Sequence, residues 1–187
     1  MQHIIVSDIF GLTDELVELS EQIAHNPIIL DPYKGKNNLF SDEQSAYQYF
    51  TENVGLEKYA CYVFSNIPSL QEPVTIIAFS VGGAAIWQHS DKLNATYIKQ
   101  AHLFYSSQIR NMLNVKPAIP VNVIVPRLEE HFSVSSMAEF LNKLDNVSTE
   151  QCTSLHGFMN KLSCNFNPID YETYILKLRQ SANLSNC

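Results

Sequence analysis

The sequence predicts an α/β fold, a mostly parallel sheet flanked by helices. Three observations predict it. Short apolar, β-branched runs alternate along the chain with segments of helical character. The chain opens strand, helix, strand, which implies a parallel pair joined by a crossover. A third run, VTIIAF at 74–79, passes through Ser80-Val81-Gly82-Gly83 into residues that suit a buried helix, Ala84-Ala85-Ile86-Trp87.

Each element has its own warrant. Residues 3–10 (HIIVSDIF) read as the first strand, and Gly11 turns the chain. Thr13 can cap a helix with Asp14 and Glu15 in its first turn, and Leu16, Leu19, Ile23 and Ala24 fall on one face. Residues 27–30 (PIIL) form a short buried strand that ends at Asp31-Pro32-Tyr33. Residues 34–41 are a polar loop, and whether it covers a pocket is left open. Helices are expected over 42–53 and 56–65, broken at Gly55, the second carrying an aromatic-rich packing surface. Pro68 and Pro73 bracket the approach to the strand at 74. Residues 95–106 hold a strand centred on 101–105, and 121–125 (VNVIV) another, ended by Pro126. A helix spans 135–144, capped by Ser135 or Ser136. A short final strand covers 147–152, a last helix 170–178, and the tail from 179 to 187 is polar and frayed. All 187 residues are expected to form one domain.

The turn at Ser80 carries the chemistry. Strand, sharp turn and helix with a serine at the apex make a nucleophile elbow, G-x-S-x-G, with Ala78 in the first glycine position. Such a turn lifts the hydroxyl clear of the sheet but crowds the backbone. Small residues at Ala78 and Gly82 relieve the crowding, and Gly83 lets the helix approach the sheet. The turn aims the Val81 amide and the helix N-terminus at a developing oxyanion. The alternative is a buried strand and helix with Ser80 merely a helix cap.

An activated serine needs a base, and the base needs an acid to orient it. After the strand 121–125 come Glu129, Glu130 and His131. After the last strand comes Leu155-His156-Gly157-Phe158. The order nucleophile, acid, histidine is that of the α/β hydrolases. Ser80, Glu129 and His156 each follow a strand, on the side where ligands bind parallel sheets. Strand alignment favours Glu129 over Glu130.

With these residues in place the sequence resembles the dienelactone hydrolase family of α/β hydrolases. Asp8-Ile9-Phe10-Gly11-Leu12, Ile29-Leu30-Asp31-Pro32-Tyr33, the elbow, Leu103-Phe104-Tyr105 with Pro120-Val121, and His156-Gly157-Phe158 carry the likeness in order, from about residue 3 to 178. It implies a compact α/β-hydrolase fold that lacks the usual N-terminal strands. It also implies Ser80 as nucleophile, Glu129 as acid and His156 as base, with the backbone amides of Ile9 and Val81 as oxyanion donors. The family proper has cysteine where this chain has Ser80 and aspartate where it has Glu129. The arginines with which it holds a substrate carboxylate have no clear counterpart among Arg110, Arg127 and Arg179.

The expected function is hydrolysis of a small carboxylic ester, lactone or thioester through an acyl-enzyme, with no cofactor or metal. The alternative is a catalytically degenerate fold that binds a ligand without turnover. A net charge of −7 and the lack of a basic run argue against nucleic acid. The longest apolar stretch is the elbow, too short to span a membrane. Four cysteines without C-x-x-C spacing read as reduced thiols. With no signal-peptide pattern at the start, a cytoplasmic setting is expected. A homodimer through an open sheet edge is allowed. Other residues take ordinary readings. His131 is a solvated loop residue that could line the pocket, His89 a helix end, and His102 a strand residue. Cys61, Cys152 and Cys164 are buried small hydrophobes and Trp87 is packing. Asp8 supports the oxyanion loop, and Asp42-Glu43 is a solvated helix start.

Overall fold

The computed structural model describes residues 2–67 and 73–183, with side chains to residue 180. Six strands form one sheet: β1 (Gln2–Val6), β2 (Ile28–Leu30), β3 (Val74–Phe79), β4 (Ile98–Phe104), β5 (Val121–Val125) and β6 (Val147–Gln151), in the order β2-β1-β3-β4-β5-β6. Every neighbouring pair is parallel. The helices are α1 (Asp14–Ile23), α2 (Glu43–Asn53), α3 (Leu56–Asn66), α4 (Val81–Gln88), α5 (Val134–Leu141) and α6 (Pro168–Asn183), with a 3₁₀ turn at Ser107–Asn111.

Period-two alternation decides which helices cover which face. Ile4 and Val6 of β1, with Val74, Ile76 and Ala78 of β3, pack into one core with residues of α3, α4 and α5. Ile5, Ile77 and Phe79 point the other way, into a core with Leu19 and Ile23 of α1 and Tyr171, Tyr174 and Ile175 of α6. Both faces of the central strands are therefore dry, which is why β3 reads as a continuous apolar run and is buried at all six positions. The strand order turns back at β1, whose other neighbour is β3, so the loops after these two strands diverge and leave a crevice between them.

The element boundaries depart from expectation in places, each with a local cause. The first strand stops at Val6 rather than reaching Phe10. Asp8 bends the chain away by accepting the Phe10 amide on Oδ1 (2.9 Å) and the Gly11 amide on its carbonyl (3.2 Å). The fifth helix is capped by Ser133, which accepts the Ser136 amide, not by Ser135 or Ser136, and it ends at Leu141. The last helix is longer at both ends than 170–178. Asn167 accepts the Ile169 and Asp170 amides, Pro168 takes the first helical position, and the helix runs to Asn183 through residues expected to fray. Residues 184–187 and Pro68 lie outside the described residues. Cys152 is buried, but Cys61 and Cys164 are exposed, contrary to the buried reading.

Candidate active site

Three loops at the C-terminal ends of β3, β5 and β6 bring Ser80, Glu129 and His156 together. Ser80 sits between the last residue of β3 and the first of α4, at φ 50° and ψ −117°. A side chain adopts such a backbone only when its surroundings enforce it. Here the enforcement is close packing of α4 on the sheet. A Cβ on Gly82 would lie 2.3 Å from the Ser7 carbonyl oxygen, and one on Gly83 would lie 1.8 Å from the Ser106 hydroxyl. Ser80 holds the N-cap position of α4 but makes no capping hydrogen bond. Its hydroxyl instead lies 2.9 Å from His156 Nε2.

The other side of the imidazole fixes its tautomer. His156 Nδ1 is 2.8 Å from Glu129 Oε1, and an ionised carboxylate can only accept. The proton is therefore on Nδ1, Nε2 is the acceptor, and the Ser80 hydroxyl donates to it. Partial burial pushes the Glu129 carboxyl up. The His156 hydrogen bond and charge, the Ser107 hydroxyl and the Arg110 charge outweigh that and hold it below the usual glutamate range. Glu130, the other candidate acid, is exposed, and it lines the cleft rather than meeting the imidazole.

The loop after β1 is braced from three sides. Tyr33 donates its hydroxyl to the Ile9 carbonyl at 2.6 Å. Asp8 accepts the Asn160 side-chain amide at 2.7 Å, tying this loop to the segment that follows His156. Tyr59, buried in α3, donates to the Ser7 and Leu30 carbonyls at the ends of β1 and β2. Burial raises the Asp8 carboxyl above its ordinary range, against the lowering pull of Asn160, the Phe10 amide and His156.

Ser80, Val81, Ile9 and His156 line one open cleft of about 1010 Å³, together with Ser107, Glu43, Gln44 and Tyr47. None of the three arginines lines it; Arg110 lies over the Phe132 ring and donates to the Ser107 carbonyl. His131 does line the cleft, from an exposed position. The loop 34–41 does not. Its Phe40 packs with Tyr33 and Tyr49, and the wall is made by α2 instead. Glu43 is accordingly more than a solvated helix start. It lines the cleft and accepts the Ser163 hydroxyl at 2.8 Å. Sequence reasoning gave Ser107 no role, and read Tyr33 only as part of a family-like segment and Tyr59 only as packing. A polar residue just beyond β4 was a usable signal for Ser107, since β4 neighbours the elbow strand. Among the described residues no group of histidine, cysteine, aspartate and glutamate side chains could hold a metal ion. No helix among them is long and apolar enough to cross a membrane.

No protein-family model matches the sequence, and no curated protein matches it. Solved structures do. The chain is similar to a Klebsiella pneumoniae protein assigned as a dienelactone hydrolase, at 15% identity and a TM-score of 0.70, over 95% of this chain and 84% of that one. It is similar to Est1E from Butyrivibrio proteoclasticus at 10% identity and a TM-score of 0.60, over 97% and 86% of the two chains. It also resembles a dienelactone hydrolase-like promiscuous phosphotriesterase from metagenomic libraries, at 17% identity and a TM-score of 0.57, over 96% and 85%. The chain shares the α/β-hydrolase fold of these proteins.

Proposed function

We propose that this chain, with its α/β-hydrolase fold, is a serine hydrolase of the dienelactone hydrolase-like type that cleaves a small ester, lactone or thioester. The observation that carries the reading is the unbroken hydrogen-bond relay from Ser80 Oγ through His156 to Glu129 at the edge of an open cleft. His156 Nε2 takes the Ser80 proton as Oγ attacks the carbonyl carbon. The resulting oxyanion is held by the Val81 amide at the start of α4 and the Ile9 amide across the crevice. The tetrahedral adduct collapses, and His156 gives its proton to the leaving oxygen or sulfur. Water, deprotonated by the same imidazole, then releases the acyl group and restores the Ser80 hydroxyl. Glu129 keeps Nδ1 protonated and stabilises the imidazolium in both halves.

The cleft also bears on the substrate. Glu43 and Glu130 line it and no arginine does, which supports an uncharged substrate over one that carries a carboxylate. The exposed thiols of Cys61 and Cys164 support a reducing, cytosolic setting.

A fluorophosphonate probe tests the reading directly, because it phosphonylates only activated serines. Intact-mass and peptide mass spectrometry should find one adduct, on Ser80, and none in His156→Ala. A folded protein that stays unlabelled would overturn the proposal and leave a ligand-binding protein without turnover.

A further inference from the structure

The relay has a fourth side chain that the three-residue scheme does not use. Ser107 opens the 3₁₀ turn after β4, the strand that pairs with the elbow strand in register Phe79↔Phe104. Its hydroxyl donates to Glu129 Oε1, the same oxygen that accepts His156 Nδ1–H, and lies 3.2 Å from Nδ1 itself. Its other acceptor within reach is the Tyr105 carbonyl, at 3.4 Å. Two donors thus converge on a single carboxylate oxygen. The backbone beneath them is fixed. The Ser107 amide donates to the Tyr105 carbonyl at 2.9 Å, and Arg110 Nη1 donates to the Ser107 carbonyl at 2.7 Å.

We propose that Ser107 is a positioning residue for the reaction, holding Glu129 Oε1 on His156 Nδ1. The inference rests on the serine-hydrolase reading above. The chemistry asks for such a group. Glu129 reaches the imidazole from a loop between β5 and α5, and its long side chain has one more rotatable bond than aspartate. A second donor on Oε1 selects the rotamer in which that oxygen faces Nδ1. It also shares the carboxylate charge, so that less of it falls on the imidazole.

Loss of the hydroxyl should therefore loosen the base and strengthen its hold on a proton. In Ser107→Ala the second-order rate of fluorophosphonate labelling at Ser80 should fall about tenfold, the size of one hydrogen bond to a charged group. The acid limb of that rate against pH should move up by about half a pH unit, a few tenths of the differential interaction carried by one such bond. Arg110 on the same turn, Asp8 across the crevice, and Glu130 and His131 on the Glu129 loop all remain in the variant, so the difference isolates the hydroxyl. Ser107→Thr, which keeps a hydroxyl, should recover most of the rate and the original limb. A thermal melt of each variant accompanies the kinetics.

Two results would overturn the proposal. One is labelling of Ser107→Ala at the wild-type rate with an unmoved limb. The other is a slower rate with an unmoved limb, no rescue by threonine and a lowered melting temperature, which is a structural role only. In either case wild-type protein still labels at Ser80. Failure of the hydrolase reading is distinct, because then the wild-type protein does not label at all.

Discussion

Ser80 is held at positive φ, and that should show as a stability difference between two variants that both lack its hydroxyl. Ser80→Ala and Ser80→Gly both remove the hydroxyl and its 2.9 Å hydrogen bond to His156, so that loss cancels between them. They differ in the Cβ. At φ 50°, ψ −117° a residue with a Cβ carries about 1–3 kcal/mol of backbone strain, and glycine carries almost none. Against this, glycine gives the unfolded chain extra freedom, which costs about 0.5–1 kcal/mol. The net is about 1 kcal/mol in favour of Ser80→Gly. For a chain of 187 residues that corresponds to a rise of about 2–4 °C in melting temperature over Ser80→Ala. Urea unfolding of the two proteins at neutral pH, followed by circular dichroism, gives the difference without reference to wild type. If Ser80→Ala proved equal or more stable, the elbow would carry no strain at Ser80. Its backbone would then be an ordinary cap, not a nucleophile turn forced by the packing of Gly82 and Gly83.

Two further outcomes are expected. Glu129→Gln should cut the labelling rate by roughly 10²–10⁴, since an amide cannot hold Nδ1–H and the imidazolium together, whereas Glu130→Gln should change it less than about threefold; the reverse order would reassign the acid. His102 predicts a pH dependence of stability. Desolvation, with a smaller push from His3, drives its ring down to about 4 from the ordinary 6.5, and its Nε2 is buried without a hydrogen-bond partner. The unfolded state therefore binds a proton that the folded state refuses. Stability is full above pH 6.5, declines as pH falls below it, and by pH 4 the loss reaches about 3 kcal/mol. Urea midpoints at pH 7 and pH 4 should draw closer by most of that amount in His102→Gln, which cannot titrate; an equal spread in both proteins would place the acid sensitivity elsewhere.

Much of the fold was legible because its strands declare themselves locally. β3 is an almost unbroken apolar run because both its faces are covered, and β5 follows it apart from the half-buried Asn122. Thr13 caps α1 through the Leu16 amide, a signal contained within four residues. What could not be read depends on contacts between distant segments. The first strand looked longer because Ile9 and Phe10 are apolar, yet a single aspartate takes the Phe10 and Gly11 amides and bends the chain off the sheet. Glu43 looked like a charge in a first helical turn, and its partner, Ser163, is 120 residues away. Ser107 was one serine among many until the register of β3 with β4 set it beside the elbow. Asn167-Pro168 was a missed local signal: an asparagine cap with proline at the first position marks a helix start, and it shifts the last helix two residues earlier.

Two carboxylates that act on the imidazole show how one crevice separates roles. Asp8 is half-buried, and its two oxygens are spent on the Phe10 amide and the Asn160 side chain, so it acts as a tie between the loop of Ile9 and the loop of His156. Its carboxyl is pushed up by burial, and it is poorly placed to hold the charge an imidazolium needs. Glu129 is met by Nδ1–H, by the Ser107 hydroxyl and by the field of Arg110, which together hold its carboxyl below the usual glutamate range. Environments that drive two carboxyl groups in opposite directions assign them different work. On this reading the charge stands on the far side of His156 from Ser80, where it favours proton transfer from the hydroxyl. The near side is left to the amides of Ile9 and Val81, with the Asp8 carboxyl tied down by the Phe10 amide and the Asn160 side chain.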